Sequence, residues 1–322
     1  MSKVIGVVAD FLTEAHRQQI LQTAAPLGYE VRFFRTNREA YGQVEDCEIL
    51  YGHCQGKLLA SAPQLRWFAA CYAGVDRMCD EKLYRNPDCI LTNASGAYGV
   101  TIAEHLIMVL LMLLRRMPEY AELNRAHCWK LLGSIRSLYG SRITVLGTGD
   151  IGTCFARRVK AMEPAKVIGV RRTLAPCDPA FDEVHTVEEL DSLLPETDIL
   201  VMCLPGTADT VKLLNRERLA LLPSTALVAN IGRGSAVDQE ALLDALRSGR
   251  LAGATLDVVD PEPLPADHPL WDAPNLLLTP HISGNTTLGY TCDRNVAMFC
   301  DNLTRYANGQ PMAHVVDRKK GY

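Results

Sequence analysis

The segment RITVLGTGDIGTCFARRVKAM, residues 142–162, constrains the fold more than any other part of the chain. An apolar run breaks at three glycines with G-x-G-x-x-G spacing, Gly147, Gly149 and Gly152, and passes directly into a helical stretch closed by Pro164. This is the signature of a buried parallel strand that turns sharply into a helix. The first glycine permits the tight turn, the second lets the backbone approach a pyrophosphate, and the third lets helix and strand pack closely. The phosphates then rest on the helix N-terminus, whose free N–H groups and positive dipole end favour anions. Gly147, Gly149, Asp150, Ile151 and Gly152 are therefore read as a dinucleotide-binding turn.

Comparable runs lie on both sides. VIGVVA, YEVRFF, CEILYG and LRWFAA precede the turn, alternating with helix-like stretches such as 13–25; KVIGV, DILVMCLP, TALVAN, LAGATLDV and NLLLTP follow it. Such alternation implies parallel strands with crossover helices, and uniformly apolar runs imply strands buried on both faces. Two series within 322 residues make two doubly wound α/β units. Between them, Thr101-Ile102-Ala103-Glu104 has the form of a capping box, at the head of an apolar helix that Pro118 closes and that is best buried between domains. Helical spacing over 287–307 stops at Asn308-Gly309, and DPEPLPADHP (260–269) reads as a loop.

Charge narrows the partners. Lys and Arg number 33 against 37 Asp and Glu, with no long run of either sign, so neither nucleic acid nor an anionic membrane is invited and a small molecule is expected. The opening MSKVIGVVAD is too short for a signal peptide and reads as a first strand, and the apolar stretch 102–114 is too short to span a bilayer. Eleven cysteines, an odd count without C-x-x-C spacing, point to reduced thiols, a cytoplasmic location and no metal.

The cofactor's sugar is also addressed. An NAD site places an acidic residue about 20 positions beyond the turn, at the end of the second strand, to bond the ribose hydroxyls. Here Arg171, Arg172 and Thr173 stand there, with Arg171 19 residues beyond Gly152. Guanidiniums suit a 2′-phosphate, so NADP(H) is the preferred cofactor and NAD(H) a possible one.

Each later strand ends in a residue able to do chemistry, where ligands bind in open α/β sheets. Arg233 sits between Gly232 and Gly234 after TALVAN, Glu262 follows LAGATLDV in the Pro-rich loop, and His281 follows LLLTP. These segments, together with the GTGDIG turn, AGVD (73–76), AEH (103–105) and LPGTADT (204–210), resemble the D-isomer-specific 2-hydroxyacid dehydrogenase family along nearly the whole chain. In kind the chain is most similar to the family's NADPH-dependent glyoxylate/hydroxypyruvate reductases.

The resemblance implies hydride transfer between a nicotinamide and a small 2-oxoacid or its D-2-hydroxyacid. Arg233 would hold the substrate carboxylate and polarise its carbonyl, His281 would supply the proton, and Glu262 would orient the imidazole. It further implies that backbone N–H groups of Ala73, Gly74 and Val75 hold the carboxylate, that Leu204 and Pro205 border the cofactor, and that Asp257 contacts the nicotinamide amide. A Rossmann-type nucleotide domain (99–287) would be inserted in a flavodoxin-like substrate domain (1–98 and 288–322), with the catalytic cleft between them. Family members are commonly dimeric, and the apolar stretches 100–114 and 120–132 suit a homodimer in which Trp129 reaches across. Trp67 is expected in the core, Trp271 as a loop anchor or a pocket wall, and His105 as a structural residue bonded across the domain junction. The alternative reading is a cofactor-sensing binding protein, corepressor-like, on the same fold. Which 2-oxoacid is used is not readable from spacing.

Overall fold

A computed structural model describes residues 3–321; Met1, Ser2 and Tyr322, which begin and end the predicted substrate domain, lie outside the described residues. Contacts divide the chain into two compact units, Met1–Tyr98 with Asn285–Tyr322, and Gly99–Gly284. The residues just before the last long helix thus group with the first unit from Asn285, three positions earlier than the motif boundary at 288.

The first unit is built on β1 (Val4–Val8), β2 (Glu30–Phe34), β3 (Ile49–Gly52), β4 (Trp67–Ala70) and β5 (Ile90–Thr92), all parallel in the order 2-1-3-4-5 of flavodoxin-like sheets. Helices cover both faces, so β1, β3 and β4 are buried at every position, while the edge strand β2 is half-buried over most of its length. On one face Ile5, Val7, Ile49, Tyr51 and Trp67 pack under the helices Glu14–Ala24 and Gly289–Ala307. Phe299 of the latter stacks on Tyr51, with centroids 4.1 Å apart, and on Trp67 at 5.5 Å. Trp67 is fully buried and its indole N–H donates to Thr92 Oγ1 at 2.9 Å. Thr13 caps the first helix, accepting from the His16 N–H while its own N–H donates to His16 Nδ1.

The second unit holds β6 (Arg142–Leu146), β7 (Lys166–Arg171), β8 (Glu183–Thr186), β9 (Ile199–Met202), β10 (Leu227–Asn230), β11 (Gly253–Leu256) and β12 (Leu276–Leu278). They are parallel in the order 12-11-10-9-6-7-8, so the order reverses between β6 and β9, the switch point of a Rossmann sheet. The helix Gln239–Arg247 and a cluster around Leu200, Met202, Val228 and Leu242 fill one side. The helix Gly99–Leu114 packs against Asp150–Val159.

Two expectations about the long apolar helix fail. It begins at Gly99, so Thr101 and Glu104 lie inside it and form no capping box. Gly99 also faces the neighbouring helix closely: a Cβ there would lie 2.6 Å from Cys154 Sγ and 2.8 Å from the Asp150 carboxylate oxygens, so these side chains would have to shift. Nor does Pro118 close it. The break comes at Arg116, whose φ is +58°, and Pro118 sits in the first turn of a new helix, Met117–Arg125, where a missing N–H costs nothing. Within Gly99–Leu114, Met108 is 48% exposed. All eleven cysteines are free thiols, and no helix is long and apolar enough to cross a membrane among the described residues.

Candidate active site

The glycines of the GTGDIG turn have three different environments. Gly147 has φ +98°, and a Cβ on it would lie 2.7 Å from Cys203 O; a Cβ on Gly152 would lie 2.0 Å from Gly147 O. Gly149 meets nothing within 4 Å and is exposed. Two glycines therefore serve packing and the middle one leaves free space, the profile a pyrophosphate needs. Gly149 is also the N-cap of Asp150–Val159 and brings no side-chain cap, so the first-turn N–H groups of this helix remain available to an anion. Ile151 follows in the first turn and is half-buried. The Asp150 carboxylate is turned toward Gly99 and Cys154, with Cys154 Sγ 3.7 Å from Oδ1; what this residue offers the cofactor is its backbone.

Arg171 ends β7 half-buried, followed by exposed Arg172 and Thr173. No carboxylate occupies this strand end. Leu204 and Pro205 leave β9 in a loop closed on itself by Thr210, whose hydroxyl donates to Pro205 O at 2.8 Å. A Cβ on Gly232 would strike Leu204 N and O at 2.7 and 2.5 Å, so this glycine lets the loops after β9 and β10 touch.

The three chemistry-bearing residues come off neighbouring strands β10, β11 and β12. The turn after β10 is braced by the buried Asn230, whose Nδ2 donates to Arg233 O at 2.8 Å and whose Oδ1 accepts from Gly232 N at 3.1 Å. Gly234 then packs so tightly on Val259 that a Cβ would fall 2.0 Å from its carbonyl carbon. Val259 N–H in turn donates to Glu262 Oε1 at 3.1 Å, and Glu262 Oε2 lies 3.0 Å from His281 Nδ1. Arg233, Glu262 and His281 are thus linked through backbone contact and two hydrogen bonds.

His281 has φ +53°, a left-handed conformation that costs a non-glycine residue ~1–2 kcal/mol. Its N–H is held by Asp257 O at 2.8 Å and Thr279 O at 2.9 Å. The Asp257 carboxylate fixes the rest of the loop: Oδ1 accepts from Thr279 Oγ1 at 2.6 Å and Ile282 N at 2.9 Å, and Oδ2 from Ser283 N at 3.0 Å. Burial pushes this carboxyl up, but the bonds from Ser283, Thr279 and Ile282 outweigh it and hold it below its ordinary value. The residue expected to touch the nicotinamide amide is therefore engaged first in shaping the His281 loop. His105 Nε2 lies 3.4 Å from Thr279 Oγ1, so its partner lies within the second unit, not across a domain junction.

Two contributors had no signal in the sequence. Gln239 grips the Glu262 loop from both sides, Nε2 donating to Asp260 O at 2.6 Å and Oε1 accepting from Asp260 N at 2.9 Å. Thr279 supplies the hydroxyl under His281. Trp271 is a loop anchor, half exposed, with its indole N–H on Pro265 O at 2.8 Å.

Ala73, Gly74 and Val75 follow β4 in the first unit. The carbonyls leading into this loop are all taken: Cys71 O by Asn295 Nδ2 at 2.7 Å and by the Tyr98 hydroxyl, Tyr72 O by Ala94 N at 3.1 Å, and Ala73 O by Asn93 Nδ2 at 2.8 Å. No acceptor among the described residues takes the N–H groups of Ala73, Gly74 or Val75. Pinned carbonyls with open N–H groups are the arrangement an anion cradle requires.

The family model for the NAD-binding domain of D-isomer-specific 2-hydroxyacid dehydrogenases matches residues 107–283. A glyoxylate/hydroxypyruvate reductase B of Pectobacterium carotovorum is 34% identical over 83% of this chain and 83% of its own. A D-isomer-specific 2-hydroxyacid dehydrogenase family protein from Aeromonas salmonicida superposes with a TM-score of 0.86 at 33% identity, covering 99% of this chain and all of that one. A D-isomer-specific 2-hydroxyacid dehydrogenase from Xanthobacter autotrophicus, solved in complex with NADPH and MES, gives 0.84 at 29% identity over the full length of both.

Proposed function

The chain belongs to the D-isomer-specific 2-hydroxyacid dehydrogenase family, and on that premise we propose that it reduces a small 2-oxoacid of the glyoxylate/hydroxypyruvate type with NADPH. The observation that carries the chemistry is the 3.0 Å contact between Glu262 Oε2 and His281 Nδ1 at the carboxyl end of the sheet. A dinucleotide held by its pyrophosphate at the GTGDIG turn would supply the hydride from its nicotinamide ring. Arg233 pairs with the substrate's carboxylate and carbonyl oxygen and stabilises the negative charge that grows on that oxygen. His281 gives its Nε2 proton to the same oxygen, becomes neutral, and is reprotonated from solvent. Glu262 fixes Nδ1–H, and with it the tautomer and the direction of Nε2. The N–H groups of Ala73, Gly74 and Val75 are assigned to the substrate carboxylate, and Asp257 retains acceptor capacity for the nicotinamide amide. The unit Met1–Tyr98 with Asn285–Tyr322 serves as substrate domain, and Gly99–Gly284 as nucleotide domain.

Arg171 and Arg172 address the 2′-phosphate. The test is kcat/KM for NADPH and NADH with glyoxylate at low salt: NADPH should be strongly favoured, and Arg171→Asp should move the preference toward NADH. Equal values in the unaltered protein would overturn the cofactor assignment, and absence of turnover with every small 2-oxoacid the enzymatic one. The cofactor-sensing alternative has no observation in its favour.

A homodimer through the second unit is supported by Trp129, Leu131 and Tyr139, large apolar side chains that stand 103%, 90% and 69% exposed along one irregular segment of the chain. Eleven free thiols support a reducing, cytoplasmic compartment.

A further inference from the structure

The first unit carries a pocket that neither the triad nor the dinucleotide turn uses. It has a volume of about 650 Å³ and opens off the carboxyl ends of β1, β2 and β3, where Asp10, Arg35, Arg38, Tyr41, His53 and Gln55 line it. Its position follows from topology. In a 2-1-3-4-5 sheet the connections from β1 and β3 run to opposite sides, and the gap at that switch point is where such sheets take ligands.

The walls are fixed before anything binds. Gly52 has φ +121° and comes so close to β1 that a Cβ would lie 2.1 Å from Val8 O. His53 N–H then donates to Val8 O at 2.8 Å, which carries the chain over the end of β1. Asn37 clamps the two loops together, its Nδ2 donating to His53 O at 2.7 Å and its Oδ1 accepting from Gln55 N at 2.8 Å. The His53 ring stacks on Tyr72 at 5.7 Å and meets Phe11 edge-on at 6.1 Å.

The lining is cationic and uncommitted. Elsewhere arginines such as Arg32, Arg216 and Arg218 are paired with carboxylates. The guanidiniums of Arg35 and Arg38 have no such partner among the described residues, nor do the His53 ring nitrogens or the Gln55 amide. The nearest candidate in sequence, Glu39, is turned instead to the backbone N–H of Arg35 at 2.8 Å. Asp10 is the one carboxylate residue in the lining.

We propose that this pocket binds a carboxylate or phosphate group on Arg35 and Arg38, with Gln55 and His53 as further donors. Two sources share that chemistry: a second acidic group on the 2-oxoacid, or a free anion. Tyr72, on which His53 stacks, directly precedes the Ala73–Val75 cradle, so a substrate carboxylate held there has the pocket on the same side of the sheet's end. The substrate arm rests on the reductase reading; anion binding itself does not.

The experiment is calorimetric titration of the full chain, without turnover, using inorganic phosphate and malonate as probes at low ionic strength. Binding at millimolar concentration or tighter is expected, weakening as salt is raised. R35Q and R38Q should each lose about tenfold in affinity, with R35K and R38K retaining part of it. No heat up to about 50 mM of either probe, or binding whose affinity and stoichiometry are both unchanged in R35Q/R38Q, would overturn the proposal. Kinetics then separate the sources. If the substrate's second group is the occupant, malonate competes with the 2-oxoacid, and R35Q lowers about tenfold the ratio of kcat/KM for a two-acid 2-oxoacid over glyoxylate. If a free anion is the occupant, phosphate binds without competing and the ratio stays put. A chain without reductase activity still answers the titration, so the two readings fail separately.

Discussion

Glu262→Gln changes one atom at the centre of the proposed mechanism, and the structure dictates which way the new amide faces. Val259 N–H needs an acceptor at 3.1 Å, so the amide oxygen must take the place of Oε1. The NH2 group then falls where Oε2 stood, 3.0 Å from His281 Nδ1. Two donors cannot share that line, so Nδ1 must give up its hydrogen and become the acceptor. The imidazolium thereby loses both a counter-charge and a hydrogen bond. Unit charges at this separation attract by about 5 kcal/mol under near-surface screening. With the side chains 52% and 30% exposed, solvent reduces the realised value toward the ~1.5–3 kcal/mol of a charge-assisted bond. A loss of about 2 kcal/mol corresponds to a roughly thirtyfold lower kcat for reduction near neutral pH. KM for the 2-oxoacid should change little, because Arg233 and the Ala73–Val75 loop are untouched. Steady-state kinetics read both quantities. A variant with parental kcat would refute the reasoning, whatever its stability.

Three further expectations follow from the geometry. Gly152→Ala places a methyl 2.0 Å from Gly147 O, which no side-chain rotation relieves; it should destabilise the second unit by about 3 kcal/mol and abolish NADPH binding, read by thermal melts and cofactor fluorescence. Asp257→Asn should lower kcat by loosening the His281 loop. Because the Asp257 carboxyl is held below its ordinary value, its contribution is present above the unfolded-state value near 4 and lost as pH falls through the folded one, so urea melts of the variant should lose less stability on acidification than those of the parent. Trp129→Lys should shift sedimentation from dimer toward monomer, and a parent that sediments as a monomer at micromolar concentration removes the dimer.

The strands legible in the sequence are those that form apolar runs. Ile199–Met202 is apolar at every position, and Leu227–Ala229 up to the buried Asn230, because both faces are covered. β8, Glu183–Thr186, carries one apolar side chain, Val184, and β5 only two, Ile90 and Leu91, so neither makes an apolar run. The Thr101–Glu104 pattern has the letters of a capping box but lies inside the helix, which starts two residues earlier at Gly99. Arg233, Glu262 and His281 were legible because consecutive strands deliver them to one sheet end. Gln239 and Thr279 were not, since their work is to hold other residues' backbone and carboxylate. Arg35, Arg38 and His53 share no local pattern either; only the turn at Gly52 and the Asn37 clamp bring them around one space.

The nesting of one unit inside the other sets an order on synthesis. The second unit is one uninterrupted segment, Gly99–Gly284, and every strand of its sheet has emerged before the first unit's last helix is made. The first unit waits. Until Gly289–Ala307 arrives, Tyr51 and Trp67 lack the aromatic lid that Phe299 provides, and the sheet's face over Ile5, Val7 and Ile49 is only partly covered. During that interval the nascent chain carries an open apolar face of the kind that recruits chaperones. A chain truncated before residue 289 would keep a foldable nucleotide unit tethered to a half-built one, and it would be cleared by proteolysis of the amino-terminal part first.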